Sequence, residues 1–95
     1  MIKSIKGKTT QDIFDGVNSK EARKVPTEVH KIAQRKLDMI NAAFIIDDLR
    51  VPPGNRLEAL SGNLKGFFSI RINQQWRIIF KWNQGAELVE IVDYH

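Results

Sequence analysis

Two runs of alternating residues in the second half of the chain limit its possible folds more than any other feature. Phe68, Ile70 and Ile72 occupy every second position of the first run, and Trp76, Ile78, Phe80 and Trp82 do so in the second. Side chains alternate across a strand, so each run presents one apolar face and one mixed face. The polar connection Asn73-Gln74-Gln75 sets Ile72 opposite Trp76 and puts both apolar sets on one side. A third run, Leu88 to Val92, is apolar and rich in β-branched residues. Gln84-Gly85 before it predicts a two-residue hairpin turn, which pairs Trp82 with Glu87, Phe80 with Val89 and Ile78 with Ile91. The result is an antiparallel meander with one face to bury.

The first half supplies the covering layer. Ile2 and Ile5 suit a short edge strand, and Thr10 before Gln11-Asp12-Ile13-Phe14 resembles a capped helix start that Gly16 keeps short. The polar stretch 18–24 reads as a loop. From Pro26-Thr27 onward, Val29, Ile32, Ala33, Leu37 and Ile40 recur at three- and four-residue steps, which predicts an amphipathic helix over 27–42. Ala43 to Leu49 reads as a further short helical segment, ended by Pro52-Pro53-Gly54 and packed with the long helix as a hairpin. The expected fold is α+β, with helices on one face of a small antiparallel sheet and all 95 residues in one domain.

Composition narrows the chemistry. The chain has no cysteine, which excludes thiolate nucleophiles, disulfides and thiolate metal sites. Its two histidines, His30 and His95, show no metal-ligand spacing, so no metal and no cofactor are expected. No apolar run approaches a membrane span, and no hydrophobic stretch follows the N-terminal lysines, so the expected location is the cytoplasm. Fifteen Lys and Arg against eleven Asp and Glu give a net charge of +4, which favours an acidic partner. The cations gather in the first third, where Lys31, Arg35 and Lys36 lie on the long helix as candidate RNA contacts.

Strand register also makes a prediction for the face away from the core. Arg71 falls opposite Arg77, Val92 also lies opposite Arg77, and Tyr94 follows on the same side. Like charges across a strand pair are destabilising. Either both arginines are solvated and paired with Glu90 or Asp93, or they bind phosphate, for which the planar guanidinium fork is suited. Other singled-out residues read as structural. His30 lies on the polar flank of the long helix, the two tryptophans with Phe68 and Phe80 on the core face, and Gly62 to Gly66 in a turn. The terminal Tyr94-His95 pair also has a structural reading, a frayed end, which the arginine face outweighs together with the family resemblance given below.

Several motifs occur in order: Pro52-Pro53-Gly54-Asn55-Arg56-Leu57-Glu58-Ala59-Leu60, Gly62-Asn63-x-x-Gly66, Ser69-Ile70-Arg71-Ile72-Asn73-x-x-Trp76-Arg77-Ile78 and Val92-Asp93-Tyr94-His95. Together they resemble the HigB, or plasmid-maintenance killer, branch of the RelE/ParE-like bacterial toxins over essentially the whole chain. The resemblance implies a RelE-like RNase toxin fold and a toxin of a type II toxin–antitoxin system. Its partner would be a HigA-type helix-turn-helix antitoxin, through which it would reach operator DNA. Its targets would be the 70S ribosome and the mRNA that it cleaves there without a metal.

The reaction so implied is attack of a ribose 2′-OH on the adjacent phosphate. That needs a proton acceptor, cations for the developing charge, and an acid for the leaving oxygen. The resemblance assigns the phosphate clamp to Arg77, with Arg71 beside it. It assigns the terminal Asp93, Tyr94 and His95 to proton transfer, orientation or stacking. Glu58 and Ser61 stand where the best-known HigB pattern has a histidine and a lysine. Glu58 is then the candidate base, Arg56 is placed to restore part of the missing charge, and a weaker or differently targeted nuclease is implied. Two other readings remain, a gyrase-poisoning ParE-like toxin and a feebly catalytic toxin that serves chiefly as antitoxin partner and co-repressor.

Overall fold

The computed structural model describes residues 1–94. Helix α1 (Lys8–Phe14) and the longer α2 (Thr27–Ala42) precede strands β1 (Glu58–Ala59), β2 (Phe67–Arg71), β3 (Trp76–Trp82) and β4 (Ala86–Asp93). The strands form one antiparallel sheet in the order β1-β2-β3-β4. Single 3-10 turns at Ala22–Lys24, Ile46–Arg50, Pro53–Asn55 and Gly62–Leu64 fill the connections. This is the expected α+β arrangement.

Helix α2 keeps the predicted boundaries and buries Val29, Ala33, Leu37 and Ile40 along one side. They meet Ile70 from β2, Ile78 and Phe80 from β3, and Val89 and Ile91 from β4 in one apolar cluster. Fully burying side chains of this size is worth roughly 1.5–3 kcal/mol each, which is what clamps the helix to the sheet. Ile32, expected in this stripe, stays 39% exposed at its margin.

Several local expectations need correction. Helix α1 begins three residues after Ser4-Ile5, beyond Gly7, and Thr10 lies inside it. Thr10 is buried because its Oγ1 accepts a hydrogen bond from Ile91 N–H at 2.9 Å, tying α1 to β4. The helix that packs with α2 is α1; the expected hairpin partner shrinks to the turn Ile46–Arg50, whose start is held by Asp48 Oδ2 accepting from Phe44 and Ile45 N–H. His30 is not a solvated flank residue, since its Nε2 lies 2.8 Å from both the Ala22 and Val25 carbonyl oxygens. The N-terminal segment does pair, through parallel bridges Ile2 to Ala86 and Ile5 to Val89 on the outer edge of β4.

Register matters most for the site. The Asn73-Gln74-Gln75 connection closes as expected, with Ile72 N–H donating to Trp76 O at 2.9 Å and Asn73 Oδ1 accepting from Gln75 and Trp76 N–H. At the next hairpin, Trp82 pairs with Ala86 and Lys81 with Glu87, so three residues, 83–85, form the loop instead of two. Gln84 and Gly85 take positive φ there, 54° and 146°. An added Cβ on Gly85 would lie 2.9 Å from Met1 O, so the N-terminal strand as well as the turn requires glycine. A bulge follows between Ile79 and Lys81, at Leu88 (φ 54°), and beyond it Ile78 faces Ile91 and Arg77 faces Val92 as the sequence implies.

Candidate active site on the open face of the sheet

On the face away from the helices, β1, β2 and β3 place Glu58, Ser69 and Ile79 in one cross-strand row. Ser69 and Ile79 are buried (0% and 6% exposed), although no helix covers them. They form the floor of this face. Arg77 lies two residues from Ile79 and directly opposite Arg71 on β2 and Val92 on β4.

The Arg77 guanidinium does not stay over its opposite number. It reaches diagonally across β2, where Nη1 donates to Ser69 Oγ at 2.8 Å and lies 3.6 Å from Glu58 Oε1. Its Cζ sits 4.8 Å from the centre of the Tyr94 ring. The reach toward β1 explains how two arginines can occupy opposed positions. Only 14% of the Arg77 side chain is exposed, against 48% for Glu58. The ion pair is therefore half in water and contributes little stability. Glu58 is a carboxylate beside Arg77, whereas Glu90 lies 3.9 Å from Lys6.

Tyr94 is anchored from the hairpin loop. Its N–H donates to Gln75 O at 2.7 Å, and Gln75 Nε2 donates to Asp93 Oδ2 at 3.0 Å. Gln75 thus holds both residues, and the loop that sets register also fixes the C-terminal end of β4. Asp93 pairs across from Trp76, so strand alternation sets it on the side opposite Val92 and Tyr94. The sequence-assigned role of His95 lies outside the described residues.

Beside Arg77 runs an open groove of about 320 Å³ lined by Glu58, Ala59, Leu60, Ser61, Leu64 and Tyr94. A larger hollow of about 390 Å³ lies in the helix layer, lined by residues that include Val17, His30 and Lys31. It is remote from the arginine cluster, which the smaller groove adjoins through Glu58 and Tyr94. Among the described residues, no group of three or more His, Asp or Glu is arranged to hold a metal ion.

The structure thus brings together Arg77, Glu58 and Tyr94, with Arg71 across the strand pair. It does not bring the helix cations to them. Lys31 and Arg35 are exposed on α2, which covers the other face of the sheet. Lys36 is turned inward, where its ammonium donates to Asn55 Oδ1; burial, with the Arg35 charge adding to it, lowers its pKa. Asn55 is fully buried and donates to Leu49 O at 3.1 Å, so Lys36 helps shape the loop that leads to Glu58. Arg56 ends the Pro53–Asn55 turn in a left-handed conformation (φ 47°) and is exposed. Sequence reasoning missed strand β1, which is two residues long and too short for a periodicity. It also passed over Ser69, whose only signal was a small polar residue in the middle of an arginine-bearing strand face.

A family model for HigB-like toxins, RelE-like toxins of type II toxin–antitoxin systems, matches residues 3–95. The chain belongs to the HigB-like toxin family. It is 46% identical over 78 residues to Toxin HigB-1 of Vibrio cholerae, covering 82% of each chain. It is 48% identical over 59 residues to an uncharacterized protein of Haemophilus influenzae, covering 62% of this chain and 58% of that one. Among solved structures it resembles a chain of the YoeB–YefM complex from Staphylococcus aureus. The TM-score is 0.61 at 16% identity, over all of this chain and 98% of the other. That likeness is one of fold, and it agrees with the α+β arrangement expected of a HigB-like toxin. No described helix is long and apolar enough to cross a membrane.

Proposed function

We propose that this HigB-like toxin is an endoribonuclease that cuts mRNA on the ribosome and is neutralised by a helix-turn-helix antitoxin of the HigA type. The observation that carries the reading is the Arg77 cluster: a largely buried guanidinium, held by Ser69 and Tyr94, at the edge of an open groove. Charge donors fixed in advance, where charge develops in a transition state, are the largest single source of rate enhancement in many enzymes. A phosphodiester is the ligand that such a fork fits.

In this reading the ribose 2′-oxygen attacks the adjacent phosphorus and its proton passes to the Glu58 carboxylate. Arg77 stabilises the charge on the non-bridging oxygens, with Arg71 as the second cation. The bond to the 5′-oxygen breaks, and His95, as the general acid, returns a proton to it. The products are a 2′,3′-cyclic phosphate and a 5′-hydroxyl. Asp93 orients the chain end, and Tyr94 offers its second ring face to a nucleobase. Arg56, Lys31 and Arg35 contact RNA phosphates away from the bond that breaks, and Lys36, already engaged by Asn55, contributes least. Bound antitoxin removes the toxin from the bacterial cytoplasm's ribosomes, and the pair acts on operator DNA through the antitoxin. Glu58 and Ser61, where the resemblance has His and Lys, favour a second reading, a weakly catalytic toxin kept as antitoxin partner.

Primer extension on an mRNA translated in vitro tests the proposal. Discrete, ribosome-dependent cuts that leave 2′,3′-cyclic ends support it. Stalled gyrase without RNA cuts would replace it with the gyrase-poison reading, and neither outcome would leave the partner-only reading.

A further inference from the structure

We infer that Ser69 is a positioning residue that fixes the orientation of the Arg77 guanidinium, through the hydrogen bond its buried Oγ accepts from Arg77 Nη1. The consequence for rate rests on the nuclease reading above; the consequence for Arg77 itself rests on geometry alone.

An unrestrained arginine loses rotamer entropy when a phosphate arrests it, and that loss opposes binding. Three contacts restrain Arg77 beforehand, and they are not equivalent. The Tyr94 ring, 4.8 Å from Cζ, favours a cation over its face but lets the guanidinium turn in its own plane at little cost. Glu58, 3.6 Å away and half exposed, is held loosely and is screened by water. The bond to Ser69 is short, 2.8 Å, and directional. Its acceptor is 0% exposed, so water does not compete for it. It alone specifies which nitrogen points to the floor, and hence which N–H donors remain for a bidentate grip on phosphate.

The position also explains the residue. Ser69 stands between Glu58 and Ile79 in the cross-strand row, under the diagonal path of Arg77. A long or aromatic side chain there would block that path. Alanine would leave the guanidinium over an apolar floor, held only by the Tyr94 ring and the half-exposed Glu58.

The experiment compares wild type with Ser69→Ala, Ser69→Thr and Ser69→Cys. In the free protein, ¹⁵N NMR reads rotation of the Arg77 guanidinium about its Nε–Cζ bond. Ribosome-dependent cleavage then gives kcat and KM. Ser69→Ala is expected to speed that rotation about five- to tenfold, the factor corresponding to one net hydrogen bond. It should lower kcat about 10- to 100-fold through misplacement, with KM for the ribosome unchanged. Ser69→Thr, which keeps the hydroxyl, should restore both. Ser69→Cys, close in volume but a weak acceptor, should behave as alanine does and serves in its place if alanine unsettles the sheet.

Unchanged rotation in both Ser69→Ala and Ser69→Cys would overturn the inference, as would faster rotation at wild-type kcat. If wild-type protein cuts no mRNA, the nuclease reading fails, and the rotation measurement still decides whether Ser69 holds Arg77.

Discussion

Successive residues of β3 serve opposite ends. Ile78 and Phe80 are fully buried against the helices, while Arg77 and Ile79 look the other way. On the covered face, burial comes from a second layer of secondary structure, and its members are interchangeable in kind: any well-packed aliphatic would do. On the open face, Ser69 and Ile79 are just as buried without a helix over them, with Arg77 roofing Ser69. That roof has specific partners in Ser69, Glu58 and Tyr94. The first arrangement gives stability and tolerates substitution of like for like. The second leaves a cation at the surface, already desolvated and aimed, and is sensitive to the identity of each neighbour.

The contrast breaks most sharply if the two faces are probed one at a time. Phe80→Ala, on the covered face, should cost about 3–5 kcal/mol in urea unfolding, with toxicity lost only in proportion to the unfolded fraction. Arg77→Ala should do the reverse. Its unfolding midpoint should stay near wild type, because relief of the opposed arginines offsets the contacts to Ser69, Glu58 and Tyr94 that are lost. Cleavage should fall about 10²–10³-fold, the usual loss for one transition-state charge donor. Full toxicity of Arg77→Ala at matched protein levels would make the open face a docking surface only.

Smaller effects sharpen the comparison. Tyr94→Phe should be mild if the ring's role is to restrain Arg77 and stack on a base, whereas Tyr94→Ala should cost about tenfold, the loss of a cation–π contact of roughly 1 kcal/mol and more. Equal damage from both would assign the work to the hydroxyl. On the covered side, α1 carries an acid-sensitive contact. Hydrogen bonds from Lys8 and Ser19 hold the Asp12 carboxyl below its ordinary pKa. A depressed carboxylate stabilises the fold above its unfolded pKa and loses that contribution as pH falls through the folded value. Asp12→Asn should therefore flatten the acid limb of a urea-midpoint profile, while Arg77→Ala leaves that limb alone. The smallest effect belongs to the helix cations. Lys31→Glu and Arg35→Glu should each weaken ribosome association a few-fold and lessen its salt dependence. No change in either would remove α2 from the contact surface.

Much of this was readable from the chain because the features were periodic. Helix α2 showed its boundaries through its apolar stripe, and the Arg71–Arg77 opposition followed from alternation and a loop of three residues. The β3–β4 register is more instructive. The expected two-residue turn is really three residues, and the bulge at Leu88 supplies one residue on the other strand. The two departures cancel, so Arg77 meets Val92 as expected although the hairpin between them differs. Neither departure has a periodic signature, since a bulge is one residue out of step and reads as part of an apolar run. The partners of His30, Thr10 and Lys36 leave no trace in the sequence for a related reason. Each is a polar residue whose partner lies on another element, 8, 81 and 19 residues away.

The layers, the apolar face and the pair of arginines on the other face are all written in the order of the residues. These follow from alternation and helical spacing, which act between near neighbours and leave a regular trace. Only the tertiary structure decided what Arg77 does with its charge. Ser69 and Glu58 come to it from neighbouring strands, and Tyr94 is held by Gln75 across the hairpin. The direction of a long side chain depends on which short-range polar partners happen to lie within its reach. That is set by strand order and twist, which no spacing along the chain records.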